Sequence, residues 1–133
     1  MTLVLDSSIT ACWCFPDETA SLADRAWEVL QQEGGAVPSL WWYEIRNVLV
    51  VNERRGRILA EDTRDFLTDL AALPIEIAAP DPGGDAIRVA RRHRLTFYDA
   101  AYLDLAIRLN ATLATLDKDL VKAARSEGVK ILT

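Results

Sequence analysis

The stretch Leu95–Leu120, LTFYDAAYLDLAIRLNATLATLDKDL, sets three carboxylates, Asp99, Asp104 and Asp117, inside the most apolar part of the chain. Thr96 followed three residues later by Asp99 has the [ST]-x-x-[DE] form of a helix start. The helix runs to about Leu109. Ala100, Ala101, Leu103, Leu105, Ala106, Ile107 and Leu109 leave it almost no purely polar face, as expected of a helix buried on several sides. Asn110 suits a left-handed stop. Ala111 to Leu116 then reads as a short buried strand, with Asp117 at its carboxyl end and a new helix opening at Lys118. Helix, strand, helix in this order is half of a βαβ repeat, which builds parallel sheets that gather ligands at the carboxyl ends of their strands.

Working outward, Thr2 to Leu5 is a short apolar run ended by Asp6, a second strand-end carboxylate, and Ser7 or Ser8 can cap the helix that follows. Pro16 breaks that helix and Asp17 can cap the next, which Gly34-Gly35 closes before a minimal strand at Ala36 and Val37. Ser39 is expected to cap a long helix to about Arg55, with Trp41, Glu44, Val48 and Val51 on one stripe, so that Glu44 lies on an apolar face with Asn47 one turn on. Glu61 to Leu73 reads as a helix ended by Pro74, Ile75 to Ala78 as a third strand, and Asp85 to His93 as a basic helix after the Pro80–Gly84 loop. Gly128 ends the last helix and Val129 to Leu132 gives a fifth strand. The pattern predicts a three-layer α/β/α fold on a mostly parallel five-stranded sheet, with residues 1–133 as one domain.

Composition is globular: half the residues are apolar and a quarter charged. No segment approaches a membrane span, and the apolar run before Asp6 is far short of a signal-peptide core, so a cytoplasmic protein is expected. Cys12 and Cys14 read as small fillers. The net charge of −5 argues against bulk electrostatic coating of nucleic acid, although eight of the fifteen Lys and Arg fall in two windows, Arg46–Arg57 and Arg88–Arg94. Those arginines suit bidentate phosphate contacts or a solvated helix face.

Asp6, Glu44, Asp99 and Asp117 could all face one sheet edge, where they would raise one another's pKa unless a cation sat among them. All-oxygen ligands favour Mg²⁺ or Mn²⁺, and a single histidine, His93, argues against zinc. The purely structural alternative keeps Asp99 and Asp117 as helix-capping acids and Asp6 as a turn former. Asp104 is the weakest candidate, and Asp119 reads as a first-turn helix acid.

Asp6 with Ser7-Ser8, Glu44 in E-I-R-N, Asp99 in L-T-F-Y-D-A and Asp117 in T-L-D-K-D-L, in this order across the chain, resemble the PIN-domain ribonucleases, and most of all the VapC-type toxins of bacterial toxin–antitoxin pairs. The resemblance implies a metal-dependent endoribonuclease with Asp6, Glu44, Asp99 and Asp117 around one or two Mg²⁺ or Mn²⁺ ions, a homodimer, and an antitoxin occupying the active-site groove. Ser7 and Thr115 could then hydrogen-bond phosphate or a metal water, while Arg46 and Arg91 hold flanking phosphates. Trp41, Trp42 and Tyr43 open the same helix as Glu44 and could anchor the partner protein. A haloacid-dehalogenase-like Mg²⁺-dependent phosphatase would need a second Asp where Ser8 stands. A receiver-like module would need an Asp after the third strand, where Ala78-Ala79 stand. A catalytically silent binding protein using the Trp41–Tyr43 patch is the other alternative.

Overall fold

The structure, a computed structural model, describes residues 2–15 and 20–133, so the expected break at Pro16 and cap at Asp17 lie outside the described residues. In chain order the elements are β1 (Leu3–Leu5), α1 (Ser7–Cys14), α2 (Ser21–Glu33), β2 (Gly35–Pro38), α3 (Ser39–Arg54), α4 (Ala60–Ala71), β3 (Ile75–Ala78), α5 (Ala86–His93), α6 (Phe97–Leu109), β4 (Thr112–Ala114) and α7 (Lys118–Ser126). The strands are all parallel, in the order β3-β2-β1-β4. The chain therefore steps from β1 to β2 to β3 in one direction and crosses back to place β4 on the other side of β1. Right-handed crossovers put α1 to α4 on one face and α5 and α6 on the other, a three-layer α/β/α arrangement. The direction of winding reverses between β1 and β4, which is where such sheets open a crevice at their carboxyl edge.

Among the described residues four strands form the sheet rather than the expected five. Ile131 makes only an isolated parallel bridge to Leu113, flanked by the bonds Leu113 N–H to Lys130 O at 2.9 Å and Leu132 N–H to Leu113 O at 2.9 Å. β4 pairs along its whole length with β1, but on this edge the chain meets it at Leu113 alone, which is a bridge and not a strand.

The inner strands are almost wholly apolar because they are buried on both faces: Leu3, Val4, Leu5, Val37, Leu113 and Ala114 are fully enclosed, whereas the edge strand β3 is partly exposed. Leu30 of α2 packs so closely over β1 that a Cβ on Gly35 would lie 2.4 Å from Leu30 Cδ2 and 2.7 Å from Leu3 O. A glycine is required there by contact. α6 buries Ala100, Tyr102, Leu103, Asp104, Leu105 and Ala106, which explains the missing polar face, and it ends with Asn110 at φ 50°. Asp104 is tolerated in this interior because its Oδ2 accepts from Arg108 Nε at 3.1 Å and its Oδ1 from Asp85 N–H at 3.3 Å.

Two expectations for α3 are corrected. Ser39 is not its cap: β2 runs directly into the helix, the boundary residue is Pro38, and no side chain caps the end. The buried stripe is Trp41, Ile45, Leu49 and Asn52, rotated by about one residue from the expected Trp41, Glu44, Val48 and Val51, because Ile45 and Leu49 are the larger apolar groups in reach of the core. Glu44 therefore stands half-buried at the border of the stripe. Among the described residues no helix is long and apolar enough to cross a membrane.

Candidate active site

Asp6 leaves β1 in an extended conformation and caps α1 itself, in place of the serines that follow it. Its Oδ1 accepts from Ser8 N–H at 3.1 Å, from Ile9 N–H at 3.4 Å and from the Ser8 hydroxyl, while its Oδ2 accepts from the Thr115 hydroxyl. The same two hydroxyls also take backbone donors from the end of β4: Ser8 Oγ accepts from Leu116 N–H at 3.1 Å and Thr115 Oγ1 from Asp117 N–H at 3.0 Å. Ser8 and Thr115 thereby staple the β1–α1 junction to the β4–α7 junction, across the point where the winding reverses. Burial pushes the Asp6 carboxyl above its ordinary range, against the Ser8 and Thr115 bonds, which pull it down.

Asp117 caps α7, its Oδ1 accepting from Asp119 N–H at 2.8 Å and Leu120 N–H at 3.1 Å. Asp99 lies in the first turn of α6, whose cap is the bond from Asp99 N–H to Thr96 Oγ1 at 3.1 Å. Its carboxyl is raised first by burial and then by the charge of Asp117, with a smaller push from Asp119. Glu44 enters from the second turn of α3 and accepts at Oε1 from the Tyr102 hydroxyl. It too is raised, by burial first and then by the charges of Asp99 and Asp6. These mutual fields connect the carboxylates into one cluster, since charges act strongly only over a few ångströms.

Among the described residues no lysine, arginine or histidine forms an ion pair with Asp6, Glu44, Asp99 or Asp117. The helices α1, α6 and α7 instead begin at these acids, and the positive ends of their dipoles partly offset the negative charge. The donor set suits a hard cation: it is all carboxylate oxygen, and its members stand in one another's fields without a positive side chain between them. As placed, no three His, Cys, Asp or Glu among the described residues are grouped to hold one ion together.

Other residues singled out in the sequence lie around this cluster or away from it. Thr115 is in it, through Asp6. Ser7 interacts with the Tyr102 hydroxyl. Arg46 folds back along α3, its guanidinium 3.8 Å from the centre of the Trp42 ring and bonded to Trp42 O at 3.1 Å. Arg91 is exposed on α5, whose other basic residues converge on Glu127 beyond α7: Arg88 Nη2 at 3.0 Å and His93 Nε2 at 2.7 Å. Trp41 is 4% exposed and its Nε1 donates to Thr10 Oγ1 at 2.9 Å, whereas Trp42 is 41% and Tyr43 69% exposed, so only the latter two offer surface to a partner. Asp104 is tied to Arg108, and Asp119 is exposed beside Asp99. Cys12 and Cys14 pack against the core as expected.

Tyr102, which the sequence reading does not single out, and Ser8, which it reads only as a possible helix cap and part of the Asp6 motif, bond to Glu44 and Asp6 respectively. Tyr102 carried a signal: a tyrosine in a helix buried all round must find a partner for its hydroxyl. Ser8 carried a weaker one, because the position two residues after an N-cap acid is where a hydroxyl can meet that acid's oxygen.

The sequence pattern of the PIN domain matches residues 3–126. Ribonuclease VapC3 of Pyrobaculum aerophilum is 34% identical over 126 residues, spanning 92% of this chain and 94% of that protein. The crystal structure of PAE2754 from Pyrobaculum aerophilum superposes with a TM-score of 0.70 at 23% identity, over 99% of this chain and 91% of the other, a likeness of fold. With the family pattern spanning all but the ends of the chain and a third of its residues shared with a VapC ribonuclease, the protein belongs to the PIN-domain family and, within it, to the VapC type.

Proposed function

We propose that the protein is a metal-dependent endoribonuclease and the toxin of a toxin–antitoxin pair. The observation that carries this reading is the set of carboxylates Asp6, Glu44, Asp99 and Asp117 at strand ends and helix starts, with Asp6, Glu44 and Asp99 raised above their ordinary range and no cationic side chain paired to any of the four among the described residues. Asp6, Glu44, Asp99 and Asp117 would hold Mg²⁺ or Mn²⁺, which when bound polarises a phosphate oxygen and makes its water a stronger nucleophile. The protein's own part is to keep those oxygens fixed. Ser8 and Thr115 lock the Asp6 rotamer, the N-terminal amides of α7 lock Asp117, and Tyr102 holds Glu44. The N-terminal ends of α1, α6 and α7 favour an incoming phosphate. No side chain need act as nucleophile.

RNA as substrate is supported by the VapC ribonuclease relative and by the family pattern. The acidic cluster repels a phosphate backbone unless a cation is bound, which makes RNA binding and ion binding interdependent. Arg91, exposed on α5, suits a phosphate remote from the scissile one, and Arg46 contributes to RNA only if it leaves Trp42. The exposed Trp42 and Tyr43, which meet edge to face with ring centres 5.0 Å apart, are the surface we assign to an antitoxin segment, and we expect a homodimer. The phosphatase alternative has no support at the second position after Asp6, where the Ser8 hydroxyl is engaged by Asp6 and Leu116.

The test is cleavage of total RNA with Mg²⁺ or Mn²⁺ and with excess chelator, using wild type and Asp6→Asn. Cleavage that needs the ion and is lost in the mutant is expected. Cleavage in chelator, or an Asp6→Asn protein that is folded and fully active, overturns the reading, and absence of cleavage with either ion leaves the silent binding protein in its place. For the partner surface, Trp42→Ala and Tyr43→Ala should weaken antitoxin binding, and unchanged affinity in both sinks that assignment.

A further inference from the structure

Tyr102 is 1% exposed and lies one turn after Asp99 on α6. Residues three apart share a helix face, so α6 presents the Asp99 carboxylate and the Tyr102 ring towards the same end of α3. The Tyr102 hydroxyl donates to Glu44 Oε1, and the Ser7 side chain approaches the same hydroxyl from the start of α1. Glu44 would otherwise be a mobile side chain: it is half-buried, and Tyr102 is the one hydrogen-bond donor it has among the described residues.

We infer that Tyr102 is a positioning residue that sets the orientation of Glu44 for ion binding, with Ser7 supporting it from behind. The inference rests on the reading of Glu44 as an ion ligand. With Oε1 held by the hydroxyl, the Glu44 carboxylate would be kept in one orientation for an ion. Tyr102 never touches RNA, since its ring is enclosed between α6 and the core. Groups that orient a metal's ligands this way are worth roughly 10- to 100-fold in metal affinity or activity.

The experiment is Mn²⁺ titration of the RNA-free protein, read by calorimetry and by the electron paramagnetic resonance signal of bound Mn²⁺, for wild type, Tyr102→Phe, Glu44→Gln and the double variant. Phenylalanine keeps the ring and removes only the hydroxyl. Tyr102→Phe should weaken the Mn²⁺ Kd about tenfold and lower kcat with KM for RNA unchanged. The double variant should bind Mn²⁺ no more weakly than Glu44→Gln alone, because the hydroxyl acts only through that carboxylate. If Tyr102→Phe fails to give a native circular dichroism spectrum, Ser7→Ala takes its place, with a smaller loss in the same direction expected. Wild-type Mn²⁺ affinity in a folded Tyr102→Phe or Ser7→Ala protein, or losses that add to those of Glu44→Gln, overturns the inference while leaving the nuclease reading intact. A wild-type protein that neither binds Mn²⁺ nor cleaves RNA overturns the nuclease reading itself and this inference with it.

Discussion

The two ends of α7 handle buried negative charge in opposite ways. Its first turn is capped by Asp117, which faces Asp99 and, through it, Glu44 and Asp6, with no cation paired to any of them among the described residues. Ten residues further on, roughly 15 Å along the helix axis, the Glu127 side chain is 9% exposed and receives Arg88, Arg92 and His93. Those bonds hold the Glu127 carboxyl down at about 2, Arg88 contributing most and His93 next. A carboxylate at the carboxyl end of a helix meets the negative end of the dipole and needs such partners, whereas acids at the amino end are partly accommodated by the helix alone. The difference separates charge that stabilises this fold from charge that costs it stability. Glu127 ties α5 to α7 and is satisfied from within the chain. In the function proposed above, the other cluster is the one that an added cation would satisfy.

The largest expected effect breaks the comparison by function. Asp99→Asn should lower ion-dependent RNA cleavage by on the order of 100-fold or more, while Glu127→Gln leaves it within about twofold. Initial rates on one RNA with both proteins folded decide the matter. A similar loss in the two variants would mean that the ends of α7 do not differ in role.

In stability the ranking reverses. Glu127→Gln removes a carboxylate that favours the folded state at neutral pH, and allowing for screening around the exposed arginines the cost is about 1–2 kcal/mol. Urea unfolding at pH 7 measures it, and a change below the error of the extrapolation would show the Glu127 node to be decorative.

Much of this contrast could be read in the sequence for one end and little for the other. Asp6, Asp99 and Asp117 announce themselves because each stands at a strand end or helix start, positions defined by local pattern, and Thr96 and Asn110 bound α6 where expected. Glu44 is placed in the sequence for a less secure reason: the stripe that puts it on an apolar face is rotated by a residue from the buried one, and Glu44 stands at the border of that face. Glu127 and Tyr102 could not be paired in advance, since their partners lie 34 to 39 and 58 residues away and depend on which helices the sheet order makes neighbours. For the same reason the basic window Arg88–Arg94 leaves phosphate contacts and a solvated helix face equally open in the sequence, whereas in the fold Arg88 and Arg92 turn to Glu127 and Arg94 ends α5 at φ 53°. The fifth strand is reduced to one bridge, because of residues 129–132 only Ile131 pairs with β4, at Leu113.

The pH dependence of stability should show both ends at once. Glu127 has its pKa lowered from 4.5 to about 2, so its contribution is full above 4.5 and is lost as pH falls towards 2. Asp6, Glu44 and Asp99 have theirs raised from 3.8, 4.5 and 3.8, so above those values the folded state keeps protons that the unfolded chain releases, and stability falls as pH rises until all three are ionised. In chelator, melting temperature should therefore peak in weak acid. Glu127→Gln should flatten the acid limb and Asp99→Asn the neutral limb. A curve that rises steadily to pH 7 in chelator would remove the support for mutual repulsion among the carboxylates.

The smallest effect is the most discriminating. In chelator, Asp99→Asn relieves the repulsion that Asp99 shares with Asp117, Asp119 and Glu44, and should raise stability by about 1 kcal/mol. Little is lost at the helix start, because the capping bond runs from the Asp99 backbone N–H to Thr96 Oγ1 and survives the substitution. Millimolar Mg²⁺ should then reverse the order, since the wild type gains RT ln(1 + [L]/Kd) and the mutant, one ligand short, gains less. If Asp99 served only α6, the mutant would lose the favourable meeting of its charge with the helix dipole and melt lower in both conditions. Four melting curves separate these outcomes: a crossover on adding Mg²⁺ ties Asp99 to an ion, and a mutant less stable throughout, beside a wild type that ignores Mg²⁺, makes the amino end of α7 no more than a set of helix caps.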